Sequence, residues 1–198
     1  MLATKTQTDN VLRSAFEAGE TLFGENRVQE LVPKTSELAD LPITWHFIGH
    51  LQTNKVKDVV GRASCIQSVD RQSLVEAIHN ECTKKQRVID VMIEVNTSFE
   101  ESKHGLHPDN APAFVEMISA YSTMRVRGFM TIGANVDDEI TVRKGFAMLR
   151  ELRDLSLSIL PQATELSMGM SHDLEWAIAE GSTIVRVGSA VFGQRPSA

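Results

Sequence analysis

The sequence predicts one α/β domain over residues 1–198, folded as a (β/α)8 TIM barrel, on three observations. Eight short apolar or β-branched runs recur along the chain, at 2–5, 21–25, 43–48, 64–69, 88–96, 124–132, 163–167 and 183–187. Segments with apolar residues at helical spacing fill the gaps, so strand and helix alternate. Several runs are almost continuously apolar, which suits parallel strands covered on both faces. An open doubly wound sheet is the alternative, and the count of eight favours the barrel. The chain is short for a barrel at 198 residues. Its first strand also starts almost at the first residue, with no helix ahead of it to cover the lower end.

The helices follow in order. Val11, Leu12, Ala15 and Phe16 make one apolar stripe, and Gly19 suits its stop. A helix after Arg27 is expected to bend or end at Pro33, whose ring removes an N–H and crowds the preceding turn. Asp70 reads as an N-cap ahead of Leu74, Ala77 and Ile78. Pro108 suits the first turn of a helix carrying Phe114, Met117 and Ile118. Phe146, Leu149 and Leu152 mark a longer helix. Ser171 precedes Leu174, Ala177 and Ile178, and Gly181 closes that last pattern.

Composition removes several function classes. A net charge of −6 argues against general affinity for nucleic acid. No apolar run approaches the roughly 20 residues of a membrane span, and no signal-peptide pattern opens the chain. Cys65 and Cys82 have neither CxxC spacing nor further partners, so reduced structural cysteines in the cytoplasm are expected.

In a barrel, chemistry gathers where strands run into the following loops. Those positions are Lys5, Asn26, His50, the stretch Ser167, Met168, Gly169, Met170 and Ser171, and then Arg186, Val187, Gly188 and Ser189. The loops after strands 7 and 8 form the usual phosphate site of this architecture. Glycine admits close backbone approach, serine adds a hydroxyl, and N–H groups at a helix start favour an anion. The two loops therefore read as a grip on one phosphate, although the first also suits a helix cap whose methionines fill the core. Lys5 at a strand end would have a lowered pKa and could form an imine. An aldehyde-bearing phosphate, either pyridoxal 5′-phosphate (PLP) or a sugar phosphate, joins both features. Arg186 would reach the ring side of such a ligand, where a permanent donor keeps a pyridine nitrogen unprotonated; a strand-end salt bridge is its other reading. His46 and His50 do not read as a zinc pair, because four residues of strand span about 13 Å. GMS is not a GxSxG elbow, and Glu100, Glu101 and Lys103 read as a solvated loop.

Taken together, ATKTQ at 3–7, FGENRVQEL at 23–31, WHFIGHLQTNK at 45–55, SVDR at 68–71, ESKHGL at 101–106, GFMTIG at 128–133, LSMGMSHD at 166–173 and VRVGSAVFG at 185–193 resemble the pyridoxal-phosphate homeostasis protein family nearly end to end. The resemblance implies a fold-type III PLP barrel like that of the alanine racemase N-terminal domain, without the racemase's second domain. It implies a Schiff base between PLP and Lys5, and Asn26 beside the ring near its hydroxyl. Ser171, Gly188 and Ser189 would hold the phosphate, Ser167 to Met170 would wall the pocket, Arg186 would face the pyridine nitrogen, and His50 would be a neighbour. Ser171 and Arg186 are fifteen residues apart, a spacing similar to that of the racemase contacts. The family's helix before the lysine strand is apparently missing from this sequence.

Racemase chemistry needs acid or base groups on both faces of the imine. The one tyrosine, Tyr121, falls at the end of the helix after strand 5, which strand-to-helix polarity puts at the lower face. The expectation is thus a non-catalytic, monomeric PLP carrier in vitamin B6 homeostasis, with apo PLP-dependent enzymes as acceptors and neither nucleic acid nor membrane as partner. The rivals are a weak PLP-dependent racemase or lyase and an aldolase-like enzyme using Lys5 on a sugar phosphate.

Overall fold

The structure, a computed structural model, describes residues 1–193. Among the described residues, eight strands form one parallel sheet in sequence order. They are β1 Leu2–Ala3, β2 Leu22–Glu25, β3 Thr44–Phe47, β4 Cys65–Val69, β5 Ile89–Glu94, β6 Met124–Met130, β7 Glu165–Met170 and β8 Ile184–Arg186. A bridge between Leu2 and Val187 brings β8 back to β1, with Ala3 N–H donating to the Val187 carbonyl at 2.7 Å. The sheet thus curls into a nearly closed (β/α)8 barrel, in which every interior strand finds partners for both of its edges.

The helices alternate with the strands: α1 Asp9–Glu17, α2 Val28–Glu37, α3 Val56–Val60, α4 Gln72–Lys84, α5 Ala111–Ser119, α6 Glu139–Ser156, α7 Leu174–Ala179 and α8 Ser189–Phe192. The main core is the shell between strands and helices, where Leu12, Phe23, Phe47, Leu74, Phe129 and Phe146 are fully buried. Each such side chain contributes about 1.5–3 kcal/mol by leaving water. A second, small cluster of Cys65, Met92 and Met130 packs against Ile184. The first three come from adjacent strands β4, β5 and β6, and Ile184 from β8. Both cysteines are free and buried, and burial pushes both thiols up, away from reactivity.

Four local expectations change. The first strand is two residues rather than four, so Lys5 lies beyond it in a turn. β7 continues through Met170 instead of ending at Ser167, so most of the SMGMS stretch is strand and not loop. Asp70 does not cap α4; the cap position is Arg71, in extended conformation, and Asp70 pairs with its guanidinium at 2.6 Å. Finally, α2 passes through Pro33 without stopping. The proline removes one backbone bond, but Leu31 and Lys34 on either side are buried and anchored, and that tertiary gain outweighs the local penalty.

Candidate functional site

The C-terminal ends of β1, β7 and β8 surround a cavity of about 300 Å3. Lys5, Met170, Ser171, Arg186, Gly188 and Ser189 all line it. Sequence reading missed Gln7, Asn135, His172 and Phe192, which also line it. They lie one to three residues beyond the predicted site positions, or in the loop after β6, and carry no spacing signal of their own.

The lysine is held by its neighbours. Gln7 N–H donates to the Thr4 carbonyl at 3.1 Å, which closes the turn around Lys5. Thr6 inside that turn has φ +66°, a conformation that a β-branched residue adopts only under constraint. The constraint comes from β2 and α2. The Lys34 ammonium, 7% exposed, donates to Glu25 Oε2 at 2.7 Å, Glu30 Oε2 at 2.8 Å and the Thr4 carbonyl at 2.8 Å. Thr4 Oγ1 donates to Glu25 Oε2, and Thr6 N–H donates to Glu30 Oε2 at 2.7 Å. A buried charge is tolerated when its partners satisfy it. Here those partners also fix the backbone on both sides of Lys5. None of Glu25, Glu30 or Lys34 was singled out from the sequence, because a charged residue on an amphipathic helix looks like any solvated one.

The opposite wall comes from two joined turns. Ser171 Oγ accepts from the Ala190 N–H at 3.3 Å, so the end of β7 touches the start of α8. Asp173 Oδ1 accepts from the Met170 N–H at 2.6 Å and steadies the first turn. The Gly188 and Ser189 N–H groups have no acceptor among the described residues. Helix α8 is a single turn, so local N–H groups, rather than a long helix dipole, are what this wall presents. A Cβ on Gly188 would come within 3.3 Å of the Ala3 carbonyl oxygen, so glycine lets β8 close against β1 here.

Arg186 forms the floor. It is 5% exposed, and its NH1 donates to the Ser167 carbonyl and to Ser167 Oγ, each at 2.7 Å, while NH2 donates to the Thr131 carbonyl at 2.6 Å. A guanidinium has five N–H donors, so two remain beyond these three bonds. Burial lowers its pKa to about 10, and Glu94 and Asp173 act against that, so it stays charged near neutrality. Ser167 Oγ donates onward to Gln67 Oε1, and Gln67 Nε2 donates to His46 Nδ1 at 2.8 Å. A polar chain therefore crosses the barrel from β8 to β3.

Glu94, at the end of β5, is 4% exposed, and its Oε2 has no partner. Burial first, then Asp70, pushes its carboxyl up to about 7, against the pull of Arg186 and Arg71. The folded state therefore binds more protons than the unfolded chain between pH 4.5 and about 7, and stability falls as pH rises through that window. Glu94→Gln is expected to match the parent at acid pH and to exceed it above pH 7 by up to about 3 kcal/mol. Urea unfolding at both pH values checks this; an equal difference at both would refute it.

The remaining expected residues lie elsewhere. Ser167, Met168 and Gly169 do not line the cavity. Ser167 is fully buried beneath Arg186, Met168 is fully buried in the main core, and Gly169 has φ +92° and would place a Cβ 2.5 Å from Ala177 Cβ. Because β7 is still strand here, alternate side chains point into the barrel and out to α7, and neither set faces the mouth. Asn26 follows β2 and is half-buried, with Oδ1 buried and unpartnered. His50 follows β3, is exposed, and stacks on His104 instead of lining the cavity. Tyr121 lies in the turn between α5 and β6, at the opposite end of the barrel, and packs on His79.

A barrel of this form, with its cavity at the strand ends and no second domain above it among the described residues, belongs to the class of the alanine racemase N-terminal domain. The family model described as "Alanine racemase, N-terminal domain" matches residues 2–196. Within that class, the chain is 45% identical over 194 residues to a pyridoxal phosphate homeostasis protein of Aquifex aeolicus, covering 98% of this chain and 85% of the relative. It is 40% identical over 196 residues to the protein of the same name from Pseudomonas aeruginosa, covering 98% and 84%. Among solved structures, PipY of Synechococcus elongatus with PLP bound superposes with a TM-score of 0.89 at 34% identity, covering 98% of this chain and 92% of that one. The chain belongs to the pyridoxal phosphate homeostasis protein family.

Proposed function

We propose that this chain binds PLP in the cavity at the ends of β1, β7 and β8, as a Schiff base with Lys5, and holds it for delivery rather than for turnover. The carrying observation is that Lys5 shares one cavity of about 300 Å3 with Ser171, Gly188 and Ser189. The residues fit the cofactor. Two unpaired N–H groups and two serine hydroxyls suit a phosphate, and the spare donors of Arg186 suit a ring nitrogen. When bound, PLP supplies an aldehyde that a primary amine converts reversibly to an imine with loss of water.

Lys5 provides that amine, and the clamp of Glu25, Glu30 and Lys34 holds its turn in place. Ser171, Gly188 and Ser189 grip the phosphate, with Met170 as wall. Arg186 stays protonated and withholds a proton from the ring nitrogen, which leaves the ring a weak electron sink. Ser167, Met168 and Gly169 support this wall from below. We assign His50 no contact with the cofactor. The open mouth lets an acceptor amine reach the bound aldehyde carbon, which fits a monomeric cytoplasmic carrier serving apo PLP-dependent enzymes. His172 lines the same cavity, and this favours weak racemase or lyase chemistry as the second reading.

The test is a visible absorption spectrum with PLP before and after borohydride, followed by peptide mapping and an amino-acid racemisation assay. The expected result is one reduced adduct on Lys5 without steady turnover. An adduct on another residue would overturn the site, and turnover abolished by His172→Ala would establish the second reading.

A further inference from the structure

Across the barrel mouth from this cavity, three side chains converge that the cofactor reading does not use. His50 follows β3, Asp70 follows β4 and His104 lies in the loop after β5, so three successive strand ends each contribute one. One ligand atom from each lies within 4.8 Å of the others. We propose that His50, Asp70 and His104 form a binding site for a divalent transition-metal ion of the zinc class.

The placement is built into the fold. Leu106 N–H donates to the Glu94 carbonyl at 2.8 Å and Asn96 N–H donates to the Leu106 carbonyl at 2.9 Å, which folds the loop back onto β5. Gly105 makes the reversal possible: its φ is +112°, and a Cβ there would sit 2.7 Å from the Asn96 nitrogen. The reversal lays the His104 ring on His50, with centroids 3.8 Å apart and planes 18° off parallel. Asp70 is oriented from behind. Arg71 NH1 holds Oδ1 at 2.6 Å while its NH2 is fixed by the Leu51 carbonyl, and Oδ2 points toward His50 Nδ1 at 4.0 Å. A carboxylate steadied on one oxygen and open on the other is the usual supporting arrangement of a metal ligand. Lys103, next to His104, is drawn away by Glu100 and the Gly133 carbonyl, so its ammonium does not neutralise the site.

Ligand chemistry selects the ion. Two imidazole nitrogens and one carboxylate oxygen suit zinc, cobalt or nickel, whereas calcium and magnesium prefer all-oxygen sets. At a metal–nitrogen distance of about 2.0–2.1 Å, tetrahedral ligands lie about 3.4 Å apart. The exposed rings must therefore unstack by roughly an ångström, a rotation within the reach of surface side chains.

The experiment titrates the full chain, without added PLP, with Zn2+ by calorimetry and with Co2+ by visible absorption. One equivalent is expected to bind the parent. His104→Ala and Asp70→Asn are each expected to weaken binding at least about tenfold. Because His104 is exposed and lies away from Lys5, His104→Ala should still form the borohydride-trapped PLP adduct on Lys5, which shows that it is folded and separates this site from the cofactor site. Absence of saturable binding by the parent, or unchanged affinity in His104→Ala, would overturn the proposal.

Discussion

Lys5→Ala is expected to lose the borohydride-trapped adduct entirely while still binding PLP without a covalent bond. In the proposed carrier the Lys5 side chain would supply the imine, but its turn is shaped by other residues: Thr4 and Gln7 close it, and Glu30 holds Thr6. The variant should therefore fold as the parent does. The substitution leaves the proposed phosphate grip untouched, and charge-assisted hydrogen bonds contribute about 1.5–3 kcal/mol each. Two N–H groups and two hydroxyls on that wall leave several such bonds in place. Equilibrium dialysis of PLP against the folded variant checks this. Complete loss of binding would mean that the imine, and not the cradle, carries the affinity.

Arg186→Met is expected to lower stability by about 3–5 kcal/mol, a fall in Tm on the order of 10 °C. The guanidinium satisfies the Ser167 carbonyl, Ser167 Oγ and the Thr131 carbonyl, all in a fully enclosed layer. Methionine fills the volume but leaves the Thr131 carbonyl and Ser167 Oγ without a donor, while the Ser167 carbonyl keeps only the Thr131 N–H at 3.1 Å. It also removes the positive charge that moderates Glu94. Adding Glu94→Gln should recover part of the loss above pH 7, since no carboxylate then remains to be compensated. Calorimetry of the parent, both single variants and the double variant reads this directly. A change below about 1 kcal/mol in Arg186→Met would show that the floor is not held by this side chain.

Arg186 also shows where sequence reading reached and where it stopped. Its position two residues before Gly188 pointed to the ligand, and the side chain does line the cavity. Its three bonds, to Ser167 in β7 and to Thr131 just after β6, were invisible, because they join residues 19 and 55 positions apart. The SMGMS stretch misled for a related reason. Glycine and serine read as loop, but β7 continues to Met170 because β8 supplies a backbone partner there, Met170 lying opposite Arg186, whereas pairing with β6 ends at Ser167. Proline at 33 likewise signals a break, and α2 overrides it to seat Lys34 against Glu25. His46 takes its hydrogen bond from Gln67 inside the barrel, and His50 meets His104 and Asp70 from other strand ends.

The order and character of the elements were determined by the sequence alone, since apolar period and turn chemistry are local properties that a short window already contains. So were the identities of Lys5, Ser171, Arg186, Gly188 and Ser189, which fall at strand ends once the strands are counted. Only the closed barrel decided that these five share one cavity, that Glu25, Glu30 and Lys34 brace the lysine, and that two histidines meet an aspartate across the mouth. Those outcomes depend on which strand ends lie side by side, and contacts between residues far apart in the chain exist only after the sheet has curled and β8 has met β1.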